Sequence, residues 1–272
     1  MSDVYPAYRE MCDLICTTQE AVVEKSDVIF AALPHGLSQE LAAECDKKGK
    51  AFIDLGADFR LKSEEEYTEW YGGTFTDKAL HEKAVYGLPE LFREEIKKTK
   101  LVANPGCYTT AVPLALVPAL EKGYIETTGI IANCASGVTG AGRKPAQNSH
   151  YPELNEGMSA YKVACHRHTP EIEQTLSKIS GEKMHITFVP HLLPVNRGIL
   201  ATCYAKLKPG VRRKCFARRM RKDTAKSRLC VCCQRARAPI FTTSSTRISA
   251  MCPFLRTCAP ARSSPSALSI TW

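Results

Sequence analysis

Short apolar runs alternate with segments of helical pattern over the first hundred residues or so. Three runs are bounded by turn residues, as expected of strands buried in a parallel sheet: Ser26–Leu33, Ala51–Leu55 and Leu101–Ala103. Helices are predicted between them, over Gln39–Lys48 with Ser38 as its cap and over Glu64–Tyr71. Strands that alternate with helices at this spacing predict an α/β fold with a parallel sheet.

The middle of the chain adds a longer helix and a second set of strands. The helical pattern of Thr109–Lys122 follows the third run directly. The strands predicted after it are Ile130–Ala135, His185–Pro190 and Ile199–Leu207. A further helix is predicted to begin at Pro170, with Thr169 as its cap. This half therefore predicts a second domain of mixed α+β type.

Three loops of the first half follow predicted strands: Pro34–Gly36, Gly56–Arg60 and Asn104–Cys107. In open parallel sheets, ligands bind beyond the carboxyl ends of the strands. The third loop delivers Cys107 to the start of a helix, where unpaired N–H groups and the helix dipole favour the thiolate. Most lone cysteines are small buried hydrophobes. The position at the ligand-binding edge nevertheless favours a nucleophile.

A glycine-rich segment, Ser136–Pro145, follows the strand at Ile130–Ala135. Its three glycines let backbone N–H groups approach an anion, and Arg143 and Lys144 supply positive charge. The spacing to a Lys-Ser/Thr pair is absent, so this is not a Walker A loop. The alternative is an ordinary flexible loop.

Two histidines flank an arginine at His166–His168, and in a chain with a candidate nucleophile they suggest a general acid/base. A zinc site is less favoured, because no carboxylate or cysteine lies nearby at a ligand spacing, and we predict no metal. Arg197 is a candidate clamp for a carboxylate or phosphate, although a solvated surface arginine is the commoner case.

Composition separates the chain into two parts. The 272 residues suffice for two domains, and without a signal peptide or a long apolar run we expect a soluble, cytoplasmic protein that does not bind membranes. The 13 cysteines are then reduced thiols. The net charge of +9 is concentrated in residues 212–272, which hold 14 Lys/Arg and the single acid Asp223.

Seven motifs in sequence order resemble the N-acetyl-gamma-glutamyl-phosphate reductase family of the aspartate-semialdehyde dehydrogenase superfamily. They are Ala32–Gly36, Asp58–Leu61, Val85–Glu90, Asn104–Tyr108, Ser136–Gly137 with Gly140–Arg143, His166–Glu171, and Pro190–Leu192 with Pro194 and Arg197–Gly198. One departure is Gly56, where the family commonly has serine.

The resemblance implies a Rossmann-like sheet and NADPH-dependent reduction of a small-molecule acyl phosphate to an aldehyde by a homo-oligomer. Cys107 would form a thioester and His166 would be the general acid/base, with His168 less favoured. The residues that it implies for the cofactor are Pro34, Gly36, Ser136, Gly137 and Gly140, and those for the substrate are Asn104, Arg143 and Arg197. The alternatives are an aspartate-semialdehyde dehydrogenase-like enzyme and an inactive fragment.

Both ends depart from the family pattern. The family begins with a strand and a glycine-rich turn that this chain lacks, so we predict a partial dinucleotide-binding domain over 1–106 and an incomplete catalytic domain over 107–211. Such a chain is expected to fold poorly and to have little activity.

The tail, 212–272, is predicted to be an out-of-frame, disordered segment. Regrouping codons in one shifted frame gives family-like sequence both near residue 212 and near residue 270. The alternatives are a basic arm for nucleic acid and a zinc module that uses Cys230 and Cys233. Neither is favoured, and we expect no nucleic-acid partner.

Overall fold

A computed structural model describes residues 8–11 and 15–211, together with the backbone of four strands between residues 230 and 271. The chain divides into two compact units, Met1–Pro105 and Gly106–Trp272, and each is described by itself. Apart from those four strands, the predicted out-of-frame tail lies outside the described residues.

The first unit contains a parallel sheet. Its strands are β1 (Val28–Ala31), β2 (Ala51–Asp54), β3 (Val85–Tyr86) and β4 (Leu101–Ala103), in the order β1-β2-β4-β3. Every pairing is parallel, which confirms the predicted α/β fold. The loops after β1, β2 and β4 therefore leave the sheet at the same edge.

Among the described residues of this unit, five helices accompany the sheet. They are α1 (Gln19–Lys25), α2 (Ser38–Lys47), α3 (Glu64–Tyr71), α4 (Lys78–Lys83) and α5 (Pro89–Ile96). Apolar side chains of β1, β2, β4 and α2 form the core between them. The prediction that Ser38 caps α2 is wrong, because Ser38 is itself helical and its hydroxyl donates to the buried Asp54 carboxylate at 2.8 Å.

The second unit is built on a mixed sheet of six strands in the order β11-β12-β8-β5-β7-β6. The strands are β5 (Ile130–Gly137), β6 (Ser159–Ala160), β7 (Ile186–Leu193), β8 (Ile199–Lys206), β11 (Phe254–Arg256) and β12 (Ala267–Thr271). Only β5 and β7 pair in parallel. Strands β9 (Cys230–Cys232) and β10 (Ala250–Cys252) form a separate parallel pair.

Three helices complete the described part of this unit: α6 (Cys107–Glu121), α7 (Tyr151–Leu154) and α8 (His168–Ser180). Helix α6 is apolar on nearly all sides and packs against α8 and β8. A helix that is hydrophobic all round is a core element. The mixed sheet with its helices confirms the predicted second α+β domain.

His81 gives the first unit a sensitivity to acid. Its buried ring stacks on Phe75 at 3.5 Å between centroids and lies 4.6 Å from Phe59, while Nε2 lies 3.2 Å from Oε1 of Gln39. Burial, followed by the charge of Lys62, lowers the pKa of His81 to about 4. The unfolded chain takes up this proton near pH 6.5 and the folded chain does not, so stability falls as the pH drops from 6.5 towards 4.

Between pH 6.5 and pH 4, we expect protonation linked to His81 to lower the free energy of unfolding by about 3 kcal/mol. The measurement is urea unfolding of the parent chain and of His81→Asn at pH 7 and pH 4.5. The variant is less stable at pH 7 but should lose less stability on acidification. A variant of the exposed His150, His150→Gln, should lose as much as the parent.

Candidate functional site

Cys107 is the first residue of α6, two positions earlier than the sequence pattern predicts. Gly106 is the N-cap, with extended backbone angles, so the helix begins where the Asn-Pro-Gly turn ends. The sulfur is exposed and is not in a disulfide. Because the first turn of a helix has unpaired N–H groups and the positive end of the dipole, this position favours a thiolate that solutes can reach.

Three hydroxyl groups form a hydrogen-bonded network, and the charge of Cys107 acts on its two tyrosines. Tyr161 donates a hydrogen bond to Tyr108 Oη at 3.2 Å, Tyr108 donates to the His191 carbonyl at 3.4 Å, and Ser136 hydrogen-bonds with both tyrosines. Burial raises the pKa of Tyr108 and of Tyr161, and negative charge on Cys107 raises both further. These tyrosines therefore stay protonated, and their hydroxyl hydrogens are donated within this network.

His166 packs its ring against the same tyrosines, with centroid distances of 5.8 Å to Tyr108 and 5.6 Å to Tyr161. Its Nδ1 accepts the backbone N–H of His168 at 3.0 Å. Burial, with the nearby charges of His168, Lys162 and Arg167, lowers the pKa of His166 to about 3. Because a backbone N–H must donate, the neutral imidazole holds its proton at Nε2.

The role of His166 as general acid/base stays a prediction. As it stands the ring is a neutral hydrogen-bond donor through Nε2. To act as a base it would have to give up the hydrogen bond from His168. The rings of His166 and His168 are T-shaped, 4.7 Å apart.

The start of α8 differs from its prediction. The helix begins at His168 with Arg167 as its N-cap, so Thr169 is not the cap and lies buried within the first turn. Pro170 occupies the third helical position. Proline fits there because the first N–H groups of a helix have no intrahelical acceptor to lose.

The glycine-rich segment after β5 separates into a buried part and an exposed part. Ser136 and Gly137 are buried, and Gly137 faces the backbone of Asn196 and Arg197. A 3₁₀ turn then exposes Gly140, where an added Cβ would make only an ordinary contact, with Ser136 Oγ at 3.8 Å. Of the predicted cofactor residues in this unit, Gly140 is therefore open to solvent and the other two are in packing contacts.

The first unit holds the other two predicted cofactor residues on a braced loop. Asp58 is buried, and its carboxylate accepts N–H groups of Gly36 at 2.8 Å and Ser38 at 2.9 Å and the hydroxyl of Tyr67 at 3.2 Å. Nδ1 of His35 lies 2.6 Å from the same carboxylate. Pro34 and Gly36 are exposed, and at Gly36 (φ +89°) a Cβ would meet nothing within 4 Å.

The predicted substrate residues lie in different settings. Asn104 is half-buried, and its side chain donates to the Pro105 carbonyl at 3.2 Å. The buried Arg60 donates through Nε to the Asn104 carbonyl at 2.8 Å and fixes the backbone there. Arg143 and Arg197 are exposed.

Within the residues that the structure describes, no group of three or more histidine, cysteine, aspartate or glutamate side chains could hold a metal ion. No helix in that part of the chain combines the length and apolarity that crossing a membrane requires.

Comparison with known proteins matches both units to one family. Residues 1–99 match the semialdehyde dehydrogenase NAD binding domain, and residues 107–257 match the semialdehyde dehydrogenase dimerisation domain. The N-acetyl-gamma-glutamyl-phosphate reductase of Clostridium botulinum (strain Eklund 17B / Type B) is 51% identical over 208 residues, 76% of this chain and 60% of that protein. The Pelotomaculum thermopropionicum enzyme of the same name is 52% identical over 207 residues, 75% and 60%. The chain thus spans about 60% of the length of these curated relatives.

Solved structures show the same fold. Aspartate semialdehyde dehydrogenase II from Vibrio cholerae has a TM-score of 0.65 at 14% identity, covering 92% of this chain and 74% of that one. Aspartate semialdehyde dehydrogenase with NADP from Candida albicans has a TM-score of 0.59 at 12% identity, covering 91% and 72%.

Proposed function

The chain belongs to the semialdehyde dehydrogenase family, and on that premise we propose that it catalyses the NADPH-dependent reduction of N-acetyl-gamma-glutamyl phosphate to N-acetylglutamate semialdehyde. The observation that carries the proposal is the exposed sulfur of Cys107 at the first position of α6, beside protonated tyrosines. The choice of substrate is supported by the names of relatives that are about half identical to the chain.

In the first half of this reaction the Cys107 thiolate attacks the carbonyl carbon of the acyl phosphate. A C–S bond forms, the bond between that carbon and the phosphate oxygen breaks, and its electron pair leaves with phosphate. Nε2–H of His166 is the side-chain donor available for the developing oxyanion, since Tyr108 and Tyr161 already donate their hydroxyl hydrogens to the His191 carbonyl and to Tyr108. All three remain protonated at neutral pH.

In the second half the thioester is reduced, and NADPH supplies the hydride when it is bound. The C–S bond then breaks, the aldehyde is released and the sulfur leaves as the thiolate, ready for another cycle. His166 stays neutral throughout as a donor to the carbonyl oxygen.

The open glycines of both units fit the cofactor that the family implies. Gly36 and Gly140 expose backbone with no side chain and leave space where a Cβ would lie, so a flat or anionic group can approach. We propose that Pro34 and Gly36 of the first unit and Gly140 of the second contact NADP(H). The buried Ser136 and Gly137 shape the base of the second loop.

The substrate anion needs cations, and exposed Arg143 and Arg197 are the residues that we propose for this role, with Asn104. We further propose a homo-oligomer in the cytoplasm. The match of residues 107–257 to a dimerisation domain supports the first part. The second is supported by the cysteines in residues 15–211, none of which is in a disulfide.

The proposal is tested in the reverse direction, with N-acetylglutamate semialdehyde, phosphate and NADP, by the absorbance of NADPH. We expect kcat/KM to exceed that for aspartate semialdehyde by about 10²-fold or more, because a site built for one substrate's polar groups rejects an analogue that lacks them. Equal or reversed preference would instead support an aspartate-semialdehyde dehydrogenase-like enzyme.

A second assay follows the acyl-enzyme alone. Acyl phosphate without NADPH should add one acyl group to Cys107, detected by mass spectrometry and removed by hydroxylamine. Acylation without turnover would show that the chain performs only the first half of the reaction. Absence of both would contradict the proposal.

A further inference from the structure

A buried carboxylate connects the two helices that carry the candidate site. Glu171, the fourth residue of α8, is fully buried, with 0% of its surface exposed. Its Oε1 accepts the backbone N–H of Gly106 at 3.1 Å and the hydroxyl of Thr109 at 2.7 Å. These two residues lie on either side of Cys107 and its neighbour Tyr108 in the chain.

Helix α6 has no cap of its own. Its N-cap is Gly106, which has no side chain to accept a hydrogen bond from the first turn. A helix N-terminus has unpaired N–H groups and a partial positive charge, and a carboxylate is the group that satisfies both. Glu171 supplies this carboxylate from another helix.

Burying a carboxylate costs several kcal/mol unless it is well hydrogen-bonded, so its location calls for a reason. Helix α8 begins at His168, two residues after His166, whose Nδ1 is held by the His168 N–H. A hydrogen bond from Glu171 to Gly106 therefore fixes the start of α6 relative to the segment that holds His166.

We propose that Glu171 is a positioning residue: by capping α6 from α8, it holds the sulfur of Cys107 in place relative to His166 and the tyrosine hydroxyls. The proposal rests on the proposed function, in which Cys107 is the nucleophile. Glu171 acts through the backbone that carries Cys107.

Two substitutions separate the hydrogen bonds from the charge. Glu171→Gln and Glu171→Ala both remove the negative charge, but the glutamine Oε1 accepts from Gly106 and Thr109 as the carboxylate does. A difference between the two variants therefore reports the hydrogen bonds. Glu173→Ala is the matched control, because Glu173 lies on the same helix and accepts the N–H of Ile186 at 2.9 Å.

The first readout needs no turnover: the rate at which iodoacetamide alkylates Cys107, measured by peptide mass mapping against the exposed Cys16 in the same chain. Loss of a helix cap costs on the order of 1 kcal/mol, so Cys107 should react about fivefold faster in Glu171→Gln than in Glu171→Ala. Hydrogen exchange in the first turn of α6 should be faster in Glu171→Ala only. Glu173→Ala should leave both readouts unchanged.

The second readout is acylation of Cys107 by the acyl phosphate. Glu171→Ala should lower its rate about tenfold or more, and Glu171→Gln should restore most of it, since misplacement of a reacting group is costly. The proposal would be overturned if Cys107 were alkylated and acylated at equal rates in Glu171→Gln and Glu171→Ala. It would also be overturned if Glu173→Ala lowered these rates as much as Glu171→Ala does. A parent chain that is not acylated would contradict the proposed function, and the alkylation ratio would still decide the role of Glu171.

Discussion

Replacing Cys107 by serine is expected to lower thioester formation and turnover by about 10³-fold or more, because a serine hydroxyl at a helix start remains protonated and is a far weaker nucleophile than a thiolate. The fold should not change. The side chain is exposed, and serine is nearly isosteric with cysteine. Urea unfolding should place the variant within about 0.5 kcal/mol of the parent.

The control is Cys16→Ser, which changes another exposed cysteine and should retain full acylation and turnover. Mass mapping then locates the acyl group on Cys107 in the parent and in Cys16→Ser. If Cys107→Ser reduced the acyl phosphate as fast as the parent, the covalent mechanism would have no support, and neither would the role assigned to Glu171.

The features that sequence predicts well here are those set by neighbouring residues. The runs at Ile29 and Phe52 form parallel strands because their length and flanking turns leave few other structures. The prediction that both strands are buried is wrong, because only alternate residues are buried and Val28 and Phe30 of β1 are exposed. Cys107 was placed at a helix start by the Asn-Pro-Gly turn before it. The helix begins two residues earlier than its pattern suggests, since Gly106 can serve as an N-cap without any side-chain signal.

The features that sequence does not predict depend on contacts between distant positions. Glu171 is 65 residues from Gly106, and Tyr161 is 53 residues from Tyr108. Before the structure, Glu171 is only an acidic residue near a helix start, where such residues are common. The tautomer of His166 likewise depends on a backbone N–H whose direction is decided by the turn before α8.

The two glycines after β5 are a second example, because a glycine in the sequence does not show whether close packing or ligand access requires it. Gly137 and Gly140 are three residues apart, and both were predicted to contact the cofactor. In the structure an added Cβ at Gly137 would lie 2.7 Å from the carbonyl group of Asn196 and 2.7 Å from the backbone N of Arg197. At Gly140 its nearest neighbour would be Ser136 Oγ at 3.8 Å.

We expect Gly137→Ala to lower the unfolding free energy by about 3 kcal/mol, the upper part of the range for overpacking a core, because the clash is with backbone that cannot move freely. The N–H groups of Gly137 and Val138 donate to carbonyls of Gly198 and Val195 at 3.0 and 2.8 Å. A methyl group at residue 137 forces these hydrogen bonds apart. Urea unfolding of the variant and the parent measures the loss.

Gly140→Ala is the matched variant, since the same methyl group enters the same segment where space is open. Its unfolding free energy should stay within about 0.5 kcal/mol of the parent. Its affinity for NADPH, followed by the cofactor's fluorescence, should fall about tenfold if Gly140 faces the cofactor as proposed, because a methyl group then separates backbone from ligand. A stable Gly137→Ala chain with weakened NADPH binding would assign the cofactor contact to Gly137 instead. Cofactor contact, and not close packing, would then be the reason for glycine at that position.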